Sequence, residues 1–484
     1  MTSANTSSFI GASVLCAIAV LGCALRTPSA DYSQSDLYYG FTLIDPASES
    51  VRNDAYLVIT DGRFSEVGSG EPPQKTFRTR RALPGRFGLP GFVDAHAHIT
   101  AGPHKVAIVN GAPAITIESI DDVTQFNARM ALAFGVTTVR NPAGDPVANA
   151  QYDRNVRSGA WIGPDAVHAG AALQPPPFVG SAFVYPRSDA DWNAEARRQA
   201  GLGMKYFKLY VSLTEDELGK GIRAAHENGL RAIAHLDRIS WTRAAELGID
   251  DLTHALPTSP DLLEPELRQQ YVAGLGADSK FMYRWFELVD LDGPLMRHMI
   301  DLLVKKQTRV DLTLVVNELF YGVDDIDRIL PIEERKYSHP AVREASNRQL
   351  KASATGWTEG DFQRARAVMP RVLQFARRLY EAGVPLMVGT DGHGGTPTYS
   401  RELQLHVEAG IPVWDVLRLS TSLGARRVGL GERTGRIAVG LEADVVFLKG
   451  NPVTEIGNVK RVDTVITNGR AYSFDDLTVM GNVP

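Results

Sequence analysis

Leu89-Pro90-Gly91-Phe92-Val93-Asp94-Ala95-His96-Ala97-His98 carries an apolar segment straight into two histidines one residue apart. On a strand, positions i and i+2 face the same side, so His96 and His98 at a strand end can turn both imidazoles toward one cation. Taken alone, the pair reads equally well as two unrelated polar histidines. Other segments break the tie. His235 closes the apolar run Arg231-Ala232-Ile233-Ala234-His235, and His254 closes Asp251-Leu252-Thr253-His254. Asp391 follows the run 384–389 in Gly389-Thr390-Asp391-Gly392. Further short apolar runs occupy 136–140, 206–210 and 311–316, with amphipathic stretches such as 215–228 between them. Repeated strand–helix units favour an α/β fold of the (β/α)8 TIM-like barrel type, with an open doubly wound sheet as the alternative. In such a barrel, functional groups stand at the C-terminal ends of the strands, and these histidines and Asp391 all occupy that position.

The two ends of the chain have a different texture. Tyr56-Leu57-Val58-Ile59-Thr60 and Arg63-Phe64-Ser65-Glu66-Val67 flank Asp61-Gly62, and Asn468-Gly469 follows the strand-like run 462–467. Both dipeptides are hairpin turn signals. These segments predict a small β-sandwich built from both chain ends, residues 31–88 and 431–484. The barrel then occupies 89–430, with lid insertions near 258–305 and 318–370. The lid candidates contain aromatic residues (Phe320, Tyr321 and Trp357) and arginines, any of which can read a substrate carboxylate or side chain, and the sequence does not choose among them.

With 484 residues and a net charge of −5, the chain has no basic surplus for phosphates, which argues against nucleic acid as a partner. Residues 1–30 read as a leader. The run 9–25 is apolar, although no Lys or Arg precedes it, and Val20-Leu21-Gly22-Cys23 resembles a bacterial lipobox. The expectation is an exported protein of a bacterial cell, periplasmic after cleavage near Pro28-Ser29-Ala30 or held by a lipid anchor at Cys23. The only two cysteines, Cys16 and Cys23, lie in that leader. A metal in the folded part must therefore be held by imidazole, carboxylate or a modified amine. Oligomeric state is not legible.

Lys208 lies within the apolar strand Tyr206-Phe207-Lys208-Leu209-Tyr210, where a bare ammonium is costly. Two readings follow. Burial lowers an amine's pKa, so Lys208 can react with carbon dioxide and become a carbamate able to bridge two cations. Alternatively it is a structural ion pair with Asp391 or Asp94.

Together these segments, with Gly135-Val136-Thr137-Thr138-Val139-Arg140 and Gly440-Leu441-Glu442-Ala443-Asp444-Val445-Val446, closely resemble the amidohydrolase superfamily. The similarity, over about residues 38–475, is to its metal-dependent amidase and peptidase branch, which holds imidazolonepropionase-like proteins and dinuclear Xaa-Pro dipeptidases. The resemblance implies two divalent metal ions, zinc by default. His96, His98 and Asp391 would bind one, His235 and His254 the other, and carbamylated Lys208 would bridge them. It also implies Asp391 as the catalytic general base toward a bridging hydroxide, then as the acid toward the leaving amine. His168, His393 and Arg140 are candidates for contact with a small-molecule substrate; a solvated loop is the plainer reading of His393. Asn141 departs from the pattern, which commonly has Asp there.

The implied reaction is hydrolysis of an amide or peptide bond in a dipeptide or N-acyl amino acid. Lactone, cyclic-imide or phosphotriester hydrolysis at the same metals is the first alternative. A binding protein that keeps the barrel without turnover is the second. A single-metal deaminase fits less well, because Leu236-Asp237-Arg238 after His235 lacks the expected downstream glutamate.

Overall fold

The computed structural model describes residues 32–109, 112–275, 279–394 and 398–479. The leader reading, Cys23 included, lies outside the described residues. Among the described residues, no helix is long and apolar enough to cross a membrane.

The chain ends pair into one continuous eight-stranded sheet. Phe87–Pro90 holds it together, running parallel to Asp36–Asp45 on one side and antiparallel to Val445–Leu448 on the other. The hairpins at Asp61-Gly62 and Asn468-Gly469 have positive φ at both central residues, 50° and 74° in the first, 49° and 71° in the second. That is the conformation whose twist matches paired strands. The turns also touch: a Cβ on Gly469 would lie 2.6 Å from the Cα of Gly62. Alternation gives the sheet two apolar faces. Phe41, Leu57, Phe64, Val445 and Phe447 build a core within the sheet module. Leu89, Val446 and Leu448 face the main core of the chain.

Gly91 leads from this sheet into the first of a series of parallel strands. We label these β1 (Phe92–Asp94), β2 (Val136–Asn141), β3 (Asp165–His168), β4 (Tyr206–Leu209), β5 (Arg231–Ala234), β6 (Asp251–Thr253), β7 (Arg309–Asp311) and β8 (Leu386–Met387). Strands β1 to β3 form one ladder, and β4 to β8 form another. The Lys205 N–H donates to the His168 carbonyl (2.8 Å), which joins β3 to β4. The Ala95 N–H donates to the Val388 carbonyl (2.8 Å), and Ala97 bridges Gly392, which joins β8 to β1. Neighbours in this order are parallel, and helices fill most intervals between them, so the strands' C-terminal ends share one side.

One expected strand is corrected. The run 311–316 reads as a strand, but β7 ends at Asp311 and Leu314–Tyr321 is a helix. A short apolar run carries no periodicity that separates strand from helix. Thr313 breaks the strand by adopting φ 41°. The buried Glu402 carboxylate then accepts the first helical N–H groups, of Leu314 (3.0 Å) and Val315 (2.7 Å). The region 258–305 holds helices Pro265–Ala273, Phe281–Leu288 and Pro294–Lys306. Pro340–Ser353 is the long helix between Leu314–Tyr321 and Glu359–Glu381.

Candidate metal centre

His96 and His98 follow β1, Lys208 lies in β4, His235 and His254 directly follow β5 and β6, and Asp391 follows β8. The structure brings them together. Nε2 of His96 lies 3.0 Å, and Nε2 of His98 3.1 Å, from the same Asp391 oxygen, Oδ1. The His254 ring centroid is 4.8 Å from that of His96 and 4.3 Å from that of His235.

The tautomer of His96 has a visible cause. His96 Nδ1 contacts Asp311 Oδ1 at 2.7 Å, so the N–H sits there and Nε2 keeps its lone pair. His254 Nδ1 is 2.8 Å from Thr313 Oγ1. Buried Nδ1 of His235 has no partner among the described residues. Burial, reinforced by the neighbouring Lys208, lowers His235 to about 3. Burial and then His235 hold His254 well below the ordinary range. Both imidazoles are therefore neutral, the form that ligates a cation. At His96, burial opposes protonation, but Asp311 and Asp391 outweigh it and raise the pKa. Burial would also raise Asp391; the histidines beside it reverse the sign and hold the carboxyl well below the usual range. Two converging lone pairs on one carboxylate oxygen, with an orphaned imidazole nitrogen nearby, fit a site for divalent cations.

Lys208 is buried, and burial lowers it to about 8. Its Nζ lies 3.4 Å from Thr253 Oγ1 and 5.6 Å from the Tyr210 ring centroid. The ion-pair reading finds no partner, since no described carboxylate lies within 4.0 Å of it. Asp94 is engaged elsewhere, accepting from Thr390 Oγ1 (2.7 Å) and the His96 N–H (3.0 Å).

Backbone strain marks the same region. His254, Thr313 and Asp391 have φ of 67°, 41° and 56°. Non-glycine residues rarely adopt this conformation, and β-branched ones least of all. A close approach seats the first histidine: a Cβ on Gly389 would lie 2.5 Å from the His96 Cβ.

The other predicted contacts separate. His393 lines the cavity rather than a solvated loop surface, and its buried Nε2 has no partner among the described residues. Arg140 lies deeper, fully buried, donating to Asp251 Oδ1 (2.9 Å), to Asp311 Oδ2 and to the Ala95 carbonyl (2.6 Å). His168 is buried between Asn141 (3.1 Å) and Asp153 (3.1 Å), away from the cavity lining. Asn141 serves that polar cluster, also donating to Thr100 Oγ1 at 2.9 Å. Of the lid aromatics, Phe320 lines the cavity; Tyr321 is buried with its hydroxyl on the Met282 carbonyl (3.2 Å), and Trp357 packs on Tyr283.

Sequence reasoning missed Asp311, Thr313 and Glu402, the residues that orient His96 and His254. Asp311 ends a strand, as the candidate histidines nearly do, and that position was the available signal. Above the cluster lies a cavity of about 320 Å³, with Phe178, Phe183, Leu319 and Phe320 in its walls.

Residues 332–472 match the amidohydrolase family. Ochratoxinase of Aspergillus niger is 22% identical over 440 residues, covering 88% of this chain and 84% of that protein. Imidazolonepropionase of Mycolicibacterium smegmatis is 29% identical over 225 residues, covering 43% of this chain and 57% of that protein. A Xaa-Pro dipeptidase solved with methionine in its active site superposes with a TM-score of 0.64 at 21% identity, covering 91% of this chain and all of that one. The structural likeness establishes a shared fold.

Proposed function

We propose that this protein is a metal-dependent hydrolase that cleaves an amide or peptide bond, with a dipeptide or N-acyl amino acid as substrate. The observation that carries the reading is the meeting of His96 and His98 on one Asp391 oxygen, beside neutral His235 and His254 and a buried, unpaired Lys208. The proposal includes a (β/α)8 barrel over 89–430, flanked by a module from 31–88 and 431–484. It also includes export through the 1–30 leader, with cleavage or lipidation at Cys23.

In this reading His96, His98 and Asp391 hold one divalent ion and His235 and His254 the second, with Lys208 joining them as a carbamate. Zinc suits the imidazole-rich set, and such ions acidify water to a pKa near 7 (order of magnitude) and polarise a carbonyl. The rest belongs to the chain. Lys208 near pKa 8 offers a useful fraction of free amine, whose nitrogen bonds to the carbon of carbon dioxide and releases one proton. Asp311 holds the His96 ring in one tautomer, and Thr313 fixes the orientation of the His254 ring. Asp391 takes the proton of the attacking water and returns it to the leaving nitrogen, because an amide nitrogen leaves poorly unprotonated. The apolar walls exclude bulk water from these transfers.

The test is a screen of dipeptides and N-acyl amino acids with wild type and Asp391→Asn. Wild type should turn over at least one class, and the variant should fall by roughly 10²–10⁴. Equal turnover by both proteins refutes the base. A purified protein with no bound divalent ion, and no recovery with zinc and bicarbonate, refutes the hydrolase reading.

A further inference from the structure

The helix Pro340–Ser353 covers the cavity with one face. Val342, Arg343, Ser346, Asn347, Gln349 and Leu350 all line it, and their spacing is close to that of a single helical stripe. On the same helix, Arg348 pairs with Glu344, and neither lines the cavity. Arg343 therefore lies on the cavity side of the helix.

Its partners set it apart. Arg335, the other arginine lining the cavity, pairs with Asp327 and donates Nε to the Leu330 carbonyl (2.9 Å). Nearby, Arg366 pairs with Asp324 (2.7 Å) and Arg401 with Glu318 (2.8 Å). Half-buried Arg343 makes one hydrogen bond among the described residues, from Nη1 to the Arg335 carbonyl at 3.0 Å, and has no carboxylate partner. A guanidinium carries five N–H donors in a planar fork and stays charged at any working pH. In a cavity also lined by Leu319, Phe320, Leu330 and Val342, most of its donors have no partner, and its charge no contacting carboxylate, among the described residues.

We propose that Arg343 is an anion-binding subsite that receives a free carboxylate of the substrate in a two-pronged hydrogen bond. The substrates are then amides with an apolar body and a carboxylate, and neutral or carboxyl-capped analogues are discriminated against. The subsite rests on the proposed hydrolase function only for where the scissile bond lies; carboxylate binding stands without it. A planar carboxylate matches the fork.

Calorimetric titration of the purified protein with 3-phenylpropionate and with 3-phenylpropionamide tests this without turnover. Wild type should bind the acid about tenfold or more tightly than the amide. Arg343→Met should lose that preference while leaving amide binding unchanged, and its thermal midpoint should stay near wild type because only one hydrogen bond is removed. Arg343→Lys, which keeps the charge without the fork, should fall between and serves if the methionine variant fails to fold. A preference that survives in Arg343→Met places the carboxylate elsewhere and overturns the proposal. So does a wild type that binds the acid no better than the amide, or not at all. Carboxylate binding without turnover of any screened amide would refute the hydrolase reading and leave the subsite standing. Turnover without an Arg343 effect would do the reverse.

Discussion

Two polar interiors meet around β1, β6 and β7, and they are built on opposite rules. In the deeper one, Arg140, Asp251 and Asp311 are completely buried, and Arg309 closes the network on Asp251 at 2.8 Å. Every charge there has an opposite charge in contact. In the outer one, among the described residues, His235 Nδ1 and His393 Nε2 have no partner and Lys208 contacts no carboxylate, and three residues are held at positive φ. Asp311 belongs to both, giving Oδ2 to Arg140 and Oδ1 to His96. A closed network holds a fold together; an open one, kept under strain, is arranged for something that arrives later.

The sharpest way to break this contrast is Arg140→Met. It leaves buried Asp311 with His96 alone and buried Asp251 with Arg309 alone, and should cost about 3–5 kcal/mol in denaturant unfolding. A loss below 1 kcal/mol would mean that the deeper network is not closed in any energetic sense.

Glu402 comes next. Burial raises it to about 8, and no cation offsets the charge. Its unfolded pKa is about 4.3, so between these values the native state binds more protons than the unfolded one. Stability is full below about 4.3 and falls as pH rises through 8, by up to about 1.4 kcal/mol per pH unit. Glu402→Gln should flatten the profile in that window; a parallel profile would show that Glu402 is not the titrating group.

Metal loading sharpens the other half. If the open cluster binds zinc, free zinc at a hundred times Kd should stabilise the protein by about 2.7 kcal/mol. A chelator should remove the gain, and Arg140→Met should not abolish the response if the two interiors are separable. The smallest effect is Gly389→Ala, whose new methyl meets His96. Overpacking there should cost about 1–3 kcal/mol and weaken zinc more than it shifts the midpoint. A variant with wild-type zinc affinity would show that His96 has room to move.

Much of this contrast can be read along the chain, and the rest cannot, for a definite reason. His96, His98, His235, His254 and Asp391 stand out because each follows an apolar run, and a strand's last residues are a local property. Lys208 stands out because one charge interrupts four otherwise apolar or aromatic positions. Asp311 ends a strand just as visibly, yet its partners Arg140 and His96 lie 171 and 215 residues away. No local pattern encodes such a pairing. The same gap explains the misread run 311–316, whose helix begins where Glu402, 88 residues later, caps it.

Local chemistry alone determined the two hairpin turns, the alternation of short strands with helices, and the kinds of ligand available once both cysteines fell within the first 30 residues. These depend on φ preferences, periodicity and residue type, all properties of neighbours in the chain. Tertiary structure decided which charges are cancelled. Arg140 and Arg343 are the same residue type, yet one is enclosed by two aspartates and the other lines a cavity without a carboxylate in contact among the described residues. That difference arises only when segments far apart in sequence pack together, because a charge is satisfied by what lies within a few ångströms of it.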